Sequence, residues 1–535
     1  MNYIIRDQKL FSDIIILKKN KAVNLFKAFS ILLILLLIIS PSCNTKPTGT
    51  MPAPDEVPDL VIPVYDKLKN LNLDIPLVSD GKATCSIVSP VLYRNAAVVI
   101  QNAIEKQTGV KIPIISDTDT IAAIPLIGNL IILGNRSTSK ISNKLYDHYY
   151  SLMDLKYPGP GGYAVRSLHN PYGNGYNAIL VGGSDSGGVS EGAAAFAATL
   201  GSLPVSMGNL AVGWTMLTKL GEGLNIPTDI RNFEIWEASK GYGSLGYFGW
   251  NSISKRMAMY YMTGDPFNAR EVMRLSFPDA QALKEIDVVD GERIENKNDP
   301  LAGPYHYNAI QTILLWDLIE ESPEFTDSER LKATNAFARR LNHEGTTPFD
   351  KNTYKLNTVP RNVGSRHHTW SGLSLYALGR YFNNYYPSPV WAQAERAGQL
   401  VFASLHNHAW IDTGTDYCTD MAPVLTYMIM TGDHIPLENG VLQKLLQDIE
   451  VIISGAVPDR ALNGAALDFF NKAVYLTGDG RWINYRQRTG IDTDIFRLGQ
   501  SFWPDNSIKP APPTDLMNKW LVNSMPEPMW KERLK

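Results

Sequence analysis

The spacing of apolar and polar positions divides the chain into two parts of different character. Up to about residue 225, short apolar runs alternate with helical stretches, an order that predicts a small α/β domain over 59–225. Gly109 follows the first helical stretch, where left-handed backbone ends a helix. The predicted strands lie at 111–116, 126–133, 162–168 and 178–181, and the predicted helices at 96–108 and 190–200.

From about residue 230 onward the pattern is that of amphipathic helices, and a weak repeat appears. Three segments end in Thr-Gly-Asp, with the glycine placed to cap a first helix before a second one begins. These segments are Tyr260–Asp265, Tyr427–Asp433 and Tyr475–Asp479, with corresponding points at Ile319–Ser322 and Leu378–Gly379. Starts of second helices are indicated by the capping box Thr326–Glu329 and by Ser388-Pro389. Helical hairpins therefore recur about every 45 to 60 residues.

Such hairpins either close into an all-α (α/α) toroid or stack as an open array. Long loops rich in aromatic and ionisable residues precede the first helices, and in a toroid they would meet at one cleft. The loops are 242–250, 303–308, 361–370 and 412–420. We therefore expect a multi-domain chain whose residues 230–535 form a toroid of about 5–7 hairpins. A further helix pair begins near Pro510, so we expect a domain that is incomplete at its C-terminus or lacks a following β-domain.

The N-terminal 43 residues are typical of a targeting segment. Basic residues (Lys18, Lys19, Lys21 and Lys27) precede an apolar run at 28–39, and Ser40-Pro-Ser-Cys43 follows. A small residue before a cysteine resembles a bacterial lipobox, although Ser40 stands where leucine is preferred. We expect cleavage and acylation at Cys43, followed by a flexible linker at 44–58; the alternatives are a plain signal peptide or an uncleaved anchor. We expect the chain to be exported and to be held at the cell envelope by this lipid alone, at the outer membrane or in the periplasm.

Composition narrows the classes of partner. The chain has 535 residues with 44% hydrophobic and 19% charged positions, as in globular proteins, and its net charge of −3 argues against nucleic acid. Beyond Cys43 only Cys85 and Cys418 remain, which make neither a disulfide framework nor a zinc pattern. The glycine-rich segment 182–188 lacks the lysine of a phosphate loop, so a tight turn that needs glycine backbone angles is favoured. No cofactor is predicted.

Three segments before or at helix starts carry the candidate chemistry. The first runs from Asn362 to Tyr381 and contains Arg366, His367, His368 and Trp370. The second is Gly303–Asn308, with Tyr305, His306 and Tyr307 in succession, and the third is Asp412–Asp420, with Tyr417. Two adjacent histidines are unusual in a chain that has nine; the alternative interpretation is that they only cap a helix.

This combination resembles the α/α-toroid polysaccharide lyases of the alginate, heparin and chondroitin lyase type. The first part likewise resembles the accessory domain that precedes the catalytic domain in glycoside hydrolase families 20 and 67. The resemblance implies β-elimination on an acidic polysaccharide that contains uronic acid. A base removes the proton at C5, the carboxylate is neutralised, and an acid protonates the leaving oxygen.

On this resemblance we assign candidate roles. The base is His367 or His368, the acid is Tyr305 or Tyr307 (or one tyrosine serves as both), and Arg366 with Asn362 neutralises the carboxylate. The remaining candidates are substrate-binding residues, with the tryptophans as stacking platforms: Tyr247, Trp250, His306, Asn308, Trp370 and Tyr417. Calcium could replace arginine in neutralising the carboxylate, although no ligand set indicates it.

Two other classes of function stay open. A toroid glycoside hydrolase, such as an unsaturated glucuronyl hydrolase, would use a pair of carboxylates drawn from Glu285, Asp287, Asp416 and Asp420. A surface glycan-binding lipoprotein would capture oligosaccharides in an aromatic cleft without cutting them.

Overall fold

The computed structural model of the chain describes most of residues 61–512. The described residues are 61–206, 208–222, 224, 250–289, 294, 296–342, 366–407, 417–455, 465–488, 502 and 505–512. The predicted signal segment and linker lie outside them. Among these residues, none of the helices combines the length and apolar character that crossing a membrane requires.

The first part is built on two β-sheets. The strands are β1 (Ile75–Ser79), β2 (Lys82–Ala83), β3 (Cys85–Val88), β4 (Ile114–Ile115), β5 (Asn129–Leu133), β6 (Tyr163–Leu168), β7 (Ala178–Gly183), β8 (Leu210–Val212) and β9 (Met216–Lys219). The larger sheet has the order β4-β3-β5-β7-β6-β9, in which β4, β3, β5 and β7 are parallel and β6 and β9 are antiparallel to their neighbours. The smaller sheet has the order β2-β1-β8 and is antiparallel.

Three α-helices belong to this first part of the chain. Two of them pack against the sheets and bury the apolar strands. The helices are α1 (Arg94–Thr108), α2 (Lys140–Asp147) and α3 (Ser186–Ser202). Ile100 of α1 and Phe196 of α3 join the core that Ile131 and Val181 of the central strands form. Every residue of β7 is buried, so this central strand is covered on both faces, which explains why 178–181 is apolar without interruption. The predicted α/β arrangement is confirmed, and α1 ends at Gly109 with left-handed backbone (φ 73°) as expected.

The glycine-rich segment joins β7 to α3, but its glycines serve a different purpose from the one expected. The helix begins at Ser186, four residues earlier than predicted, with Asp185 as its cap. Gly188 is therefore in the helix, and neither it nor Gly183 has left-handed backbone. A Cβ on Gly188 would overlap the carbonyl oxygen of Gly162. Close backbone approach, rather than unusual angles, requires glycine here.

The second part is helical, as predicted, and contains hairpins that follow one another. Its helices are α4 (Ser252–Thr263), α5 (Pro266–Ser276), α6 (Ala280–Val289), α7 (Ala309–Ile319), α8 (Asp327–Arg339), α9 (Arg366–Tyr385), α10 (Pro389–Phe402), α11 (Tyr417–Thr431), α12 (Ile435–Glu438), α13 (Val441–Gly455), α14 (Ala465–Thr477) and α15 (Arg481–Arg488). The first helices of the hairpins, α4, α7, α9, α11 and α14, pack side by side in chain order. These contacts make a row of hairpins.

Helix-capping residues in the sequence predicted the positions of most hairpin turns correctly. Gly264, Gly432 and Gly478 all have left-handed backbone at the ends of first helices, and Thr326 forms the expected capping box. Gly379 is the exception, because α9 continues through it to Tyr385. Its missing side chain instead admits the backbone of α10, since a Cβ there would lie 2.6 Å from the Cα of Glu395.

The C-terminal ends of the first helices face the α/β part. Arg166 donates to the carbonyl of Tyr261 at the end of α4 over 2.5 Å, a favourable place for a cation beside a helix C-terminus. At the end of α14, the hydroxyl of Tyr475 donates to Asp147 over 2.7 Å. Residues Pro58–Lys535 accordingly form one compact unit.

A buried ion cluster also joins the α/β part to the helical part, at the C-terminal end of α7. The ammonium of Lys69 lies 2.7 Å from Glu320 and 2.9 Å from Glu321, with all three side chains almost inaccessible to solvent. It also lies 3.7 Å from the ring centre of Tyr385 in α9. With the C-terminal ends fixed here, the N-terminal ends of the first helices point away from the α/β part.

Candidate functional site

The N-terminal ends of three consecutive first helices meet. Asn251 caps α4 by accepting from the backbone of Ser254, and Asn308 occupies the corresponding position before α7. The amide of Asn251 donates to the side-chain oxygen of Asn308 over 3.4 Å. His367 stands in the first turn of α9, with its ring centre 4.5 Å from that of His306. Segments that are far apart in the chain are thus brought to one place.

The rings of five residues form what we call the aromatic–histidine cluster: Tyr305, His306, Tyr307, His367 and Trp370. The ring of His306 lies 4.1 Å from Tyr305 and 4.1 Å from Tyr307, measured between centroids. Tyr307 packs edge-on against both His367, at 5.7 Å, and Trp370, at 5.9 Å. Edge-to-face geometry at these distances is favourable for aromatic rings and holds the cluster rigidly.

Exposure separates the members of this cluster into two groups. His306, Tyr307 and Trp370 are buried, with 5%, 2% and 3% of their surfaces exposed. Tyr305 is partly exposed, and His367 is exposed. An imidazole and a phenol therefore reach solvent, and both contact the buried rings of His306 and Tyr307.

Arg340 holds the chain segment that carries the Tyr-His-Tyr run, and sequence reasoning missed it. The side chain is fully buried and donates to the carbonyl of Leu301 on one flank of the run (2.7 Å) and to that of Ala309 on the other (2.8 Å). It also donates to the hydroxyl of Thr312 over 2.8 Å. Burial lowers the pKa of Arg340 to about 9. An arginine at a helix end gives no sequence signal of such a role.

The other proposed site residues lie as follows. His368 is exposed beside His367, whereas Trp250 is buried next to Asn251. Trp250 and Trp370, with at most 3% exposure, present little ring face for stacking with a sugar. Arg366 and Tyr417 begin α9 and α11, but their side chains are outside the described part, as are Asn362 and Tyr247 altogether.

Of the four carboxylates proposed for a hydrolase, the structure describes the side chain of Glu285. Glu285 lies in α6 and is paired with Arg274 over 2.5 Å, and that hydrogen bond holds the pKa of Glu285 below its ordinary value. Asp287 lies in the same helix and Asp420 in the first turn of α11, while Asp416 is outside the described residues.

No known family model and no curated protein matches this chain. The geometry of the site is therefore the basis for any functional conclusion. Among the residues that the structure describes, no group of three or more histidine, cysteine, aspartate or glutamate side chains is arranged to hold a metal ion.

The site combines three chemical properties. An imidazole can accept or donate a proton near neutral pH, and a phenol can donate one to an oxygen. The N-terminal ends of α4, α7 and α9 add the positive ends of three helix dipoles, which favour an anion nearby. Proton transfer beside a stabilised anion is the chemistry that this arrangement can perform.

Proposed function

We propose that the chain is a polysaccharide lyase that cleaves a uronic-acid-containing polysaccharide by β-elimination. The supporting observation is that His367 and Tyr305 both reach solvent and both contact His306 and Tyr307, where three helix N-termini converge. β-Elimination needs a base for the C5 proton, an acid for the leaving oxygen and a positive environment for the carboxylate.

In the proposed reaction, His367 removes the proton at C5 of the uronate. The electron pair of that C–H bond forms the C4–C5 double bond, the C4–O bond breaks, and Tyr305 donates its proton to the departing oxygen. Of the candidate histidines, His367 is favoured over His368 because its ring is held by His306 and Tyr307. Of the tyrosines, Tyr305 is favoured because Tyr307 is buried.

Charge on the substrate carboxylate grows as the C5 proton leaves, so the site must stabilise an enediolate. The dipoles of α4, α7 and α9 support this role, and the proposal keeps Arg366 and Asn362 as the neutralising side chains. Because Trp370 is 3% exposed, we assign it the role of packing against the cluster and not that of a platform on which a sugar stacks.

The closed toroid and the cell-envelope location belong to the same proposal. Side-by-side packing of the first helices and the convergence of three N-terminal ends support a ring with one functional mouth. Export and attachment through Cys43 rest on the N-terminal sequence.

A panel of uronic-acid polysaccharides, including alginate, glucuronan, polygalacturonate and chondroitin, tests the proposal. Elimination creates a 4,5-unsaturated uronate that absorbs in the near ultraviolet, so absorbance should rise with at least one polymer. New reducing ends without that absorbance would instead establish hydrolysis. Retention of a polymer without either product would establish a glycan-binding protein.

A further inference from the structure

A cavity of about 650 Å³ lies between α2 with its preceding loop and the C-terminal end of α14. Its volume is in the range of ligand pockets, about 300–1,000 Å³. Its lining includes Asp117, Arg136, Lys140, Lys144, Tyr475 and Asp505. Because Tyr475 stands near the end of α14 that faces the α/β part, the cavity is remote from the aromatic–histidine cluster.

The cavity continues into a second one of about 370 Å³, and both share Asp117, Lys140 and Lys144. We call the two together the α2 groove. The second cavity adds the hydroxyls of Thr118 and Thr120. Two adjoining cavities with a shared lining have room for more than one linked sugar unit.

Two exposed lysines in the α2 groove are available to a ligand. Lys140 and Lys144 are exposed, and within the described part of the chain neither ammonium has a carboxylate within ion-pair distance. The Arg136 guanidinium is buried and lies 4.7 Å from the ring centre of Tyr475, which fixes it at the groove wall. A pair of free ammonium groups beside a fixed guanidinium favours an anionic ligand.

The acids of the groove are already engaged in local hydrogen bonds. Asp117 accepts from the backbone of Lys140 over 2.9 Å, Asp119 from that of Ile121 over 3.1 Å, and Asp505 from that of Ser507 over 3.1 Å. By contrast, the buried hydroxyl of Ser137 has no hydrogen-bond partner among the described residues. To a ligand the groove thus offers the exposed hydroxyls of Thr118 and Thr120 together with the two ammonium groups, a donor set that suits a carboxylated sugar.

We propose that the α2 groove is a second saccharide-binding site, which holds an acidic oligosaccharide through its carboxylates while the cluster acts elsewhere on the polymer. The identity of the ligand rests on the proposed function, whereas the existence of an anion-binding groove does not. Carboxylates pair with Lys140 and Lys144, and sugar hydroxyls meet the exposed Thr118 and Thr120.

Affinity electrophoresis of the full chain tests this site, with gels that contain polygalacturonate, alginate or neutral hydroxyethyl cellulose. The variant K140A/K144A should be retained about tenfold more weakly than the wild type by the acidic polymer that retains the wild type. The matched control K82A/K111A removes two exposed lysines from the same part and should be retained normally. Thermal unfolding of each variant checks that the fold is kept.

Equal retention of K140A/K144A and the wild type would overturn the proposal, and so would equal retention by the neutral polymer. Absence of retention of the wild type by both acidic polymers would also overturn it. Ultraviolet-absorbing product is measured separately on a short acidic oligosaccharide, where K140A/K144A should match the wild type. A chain that yields no product but still shows the lysine-dependent retention would contradict the lyase and support the groove.

Discussion

His306 and His367 belong to different hairpins, yet their ring centroids lie 4.5 Å apart. His306 precedes α7, and His367 stands in the first turn of α9, so the contact depends on the side-by-side packing of these two helices. A buried imidazole thereby supports an exposed one. The proposed base is consequently oriented by a residue from a neighbouring hairpin.

Replacement of His367 by alanine should lower the rate of elimination by about 10²–10⁴-fold, because it removes the proposed general base. His368→Ala is the matched control, since His368 is the adjacent exposed histidine in the first turn of α9. It should change the rate by about threefold or less. Initial rates of ultraviolet absorbance measure both, and similar losses in the two variants would contradict the assignment of His367.

The two tyrosines of the cluster should respond differently to loss of the hydroxyl. Tyr305→Phe should reduce kcat by about 10²-fold or more, because the leaving oxygen loses its proton donor. Tyr307→Phe removes a buried hydroxyl and should mainly lower stability, by about 1 kcal/mol. Comparison of kcat with the thermal unfolding midpoint separates the two effects. A larger kcat loss in Tyr307→Phe would move the acid to that residue.

Arg340→Met should destabilise the protein by about 3 kcal/mol, since it leaves the carbonyls of Leu301 and Ala309 buried without their donor. Arg339→Met is the control, because Arg339 is half exposed and pairs with Asp299 at the surface. That change should cost less than about 1 kcal/mol. Thermal unfolding reports the difference, and equal midpoints for the two variants would show that Arg340 does not hold the segment.

Asp147→Asn should alter how stability depends on pH. Burial raises the pKa of Asp147 from 3.8 to about 7, so between those values the folded protein binds more protons than the unfolded chain. Stability contributed by this group therefore falls as pH rises from about 4 to 7. After allowance for solvent screening, the loss is about 2 kcal/mol.

The measurement is a series of thermal unfolding midpoints from pH 4 to 8 for both proteins. Asparagine can still accept from Tyr475, which donates to Asp147 over 2.7 Å, but it does not titrate. The variant should thus gain stability relative to the wild type as pH rises. Parallel curves would show that the carboxyl of Asp147 titrates normally.

The sequence correctly predicted those features that depend on residues close to each other along the chain. Gly109 and Gly264 end helices with left-handed backbone, and Thr326 begins one with a capping box, as expected. It also predicted that the Tyr-His-Tyr run and the His-His pair would meet, and Tyr307 does contact His367. The repeat made this meeting predictable, because first helices of consecutive hairpins begin on the same side.

The amino-acid sequence by itself determined the order of an α/β part and a helical part, the hairpin repeat and the residue types at the helix starts. Tertiary structure alone decided that Tyr305 is accessible and Tyr307 buried, and that Arg340 holds the segment that carries both tyrosines. It also decided that Gly188 admits a neighbouring backbone. Caps and turns are set by hydrogen bonds within a few residues. Burial and close approach depend on which distant segments pack together, and that information is distributed over the whole chain.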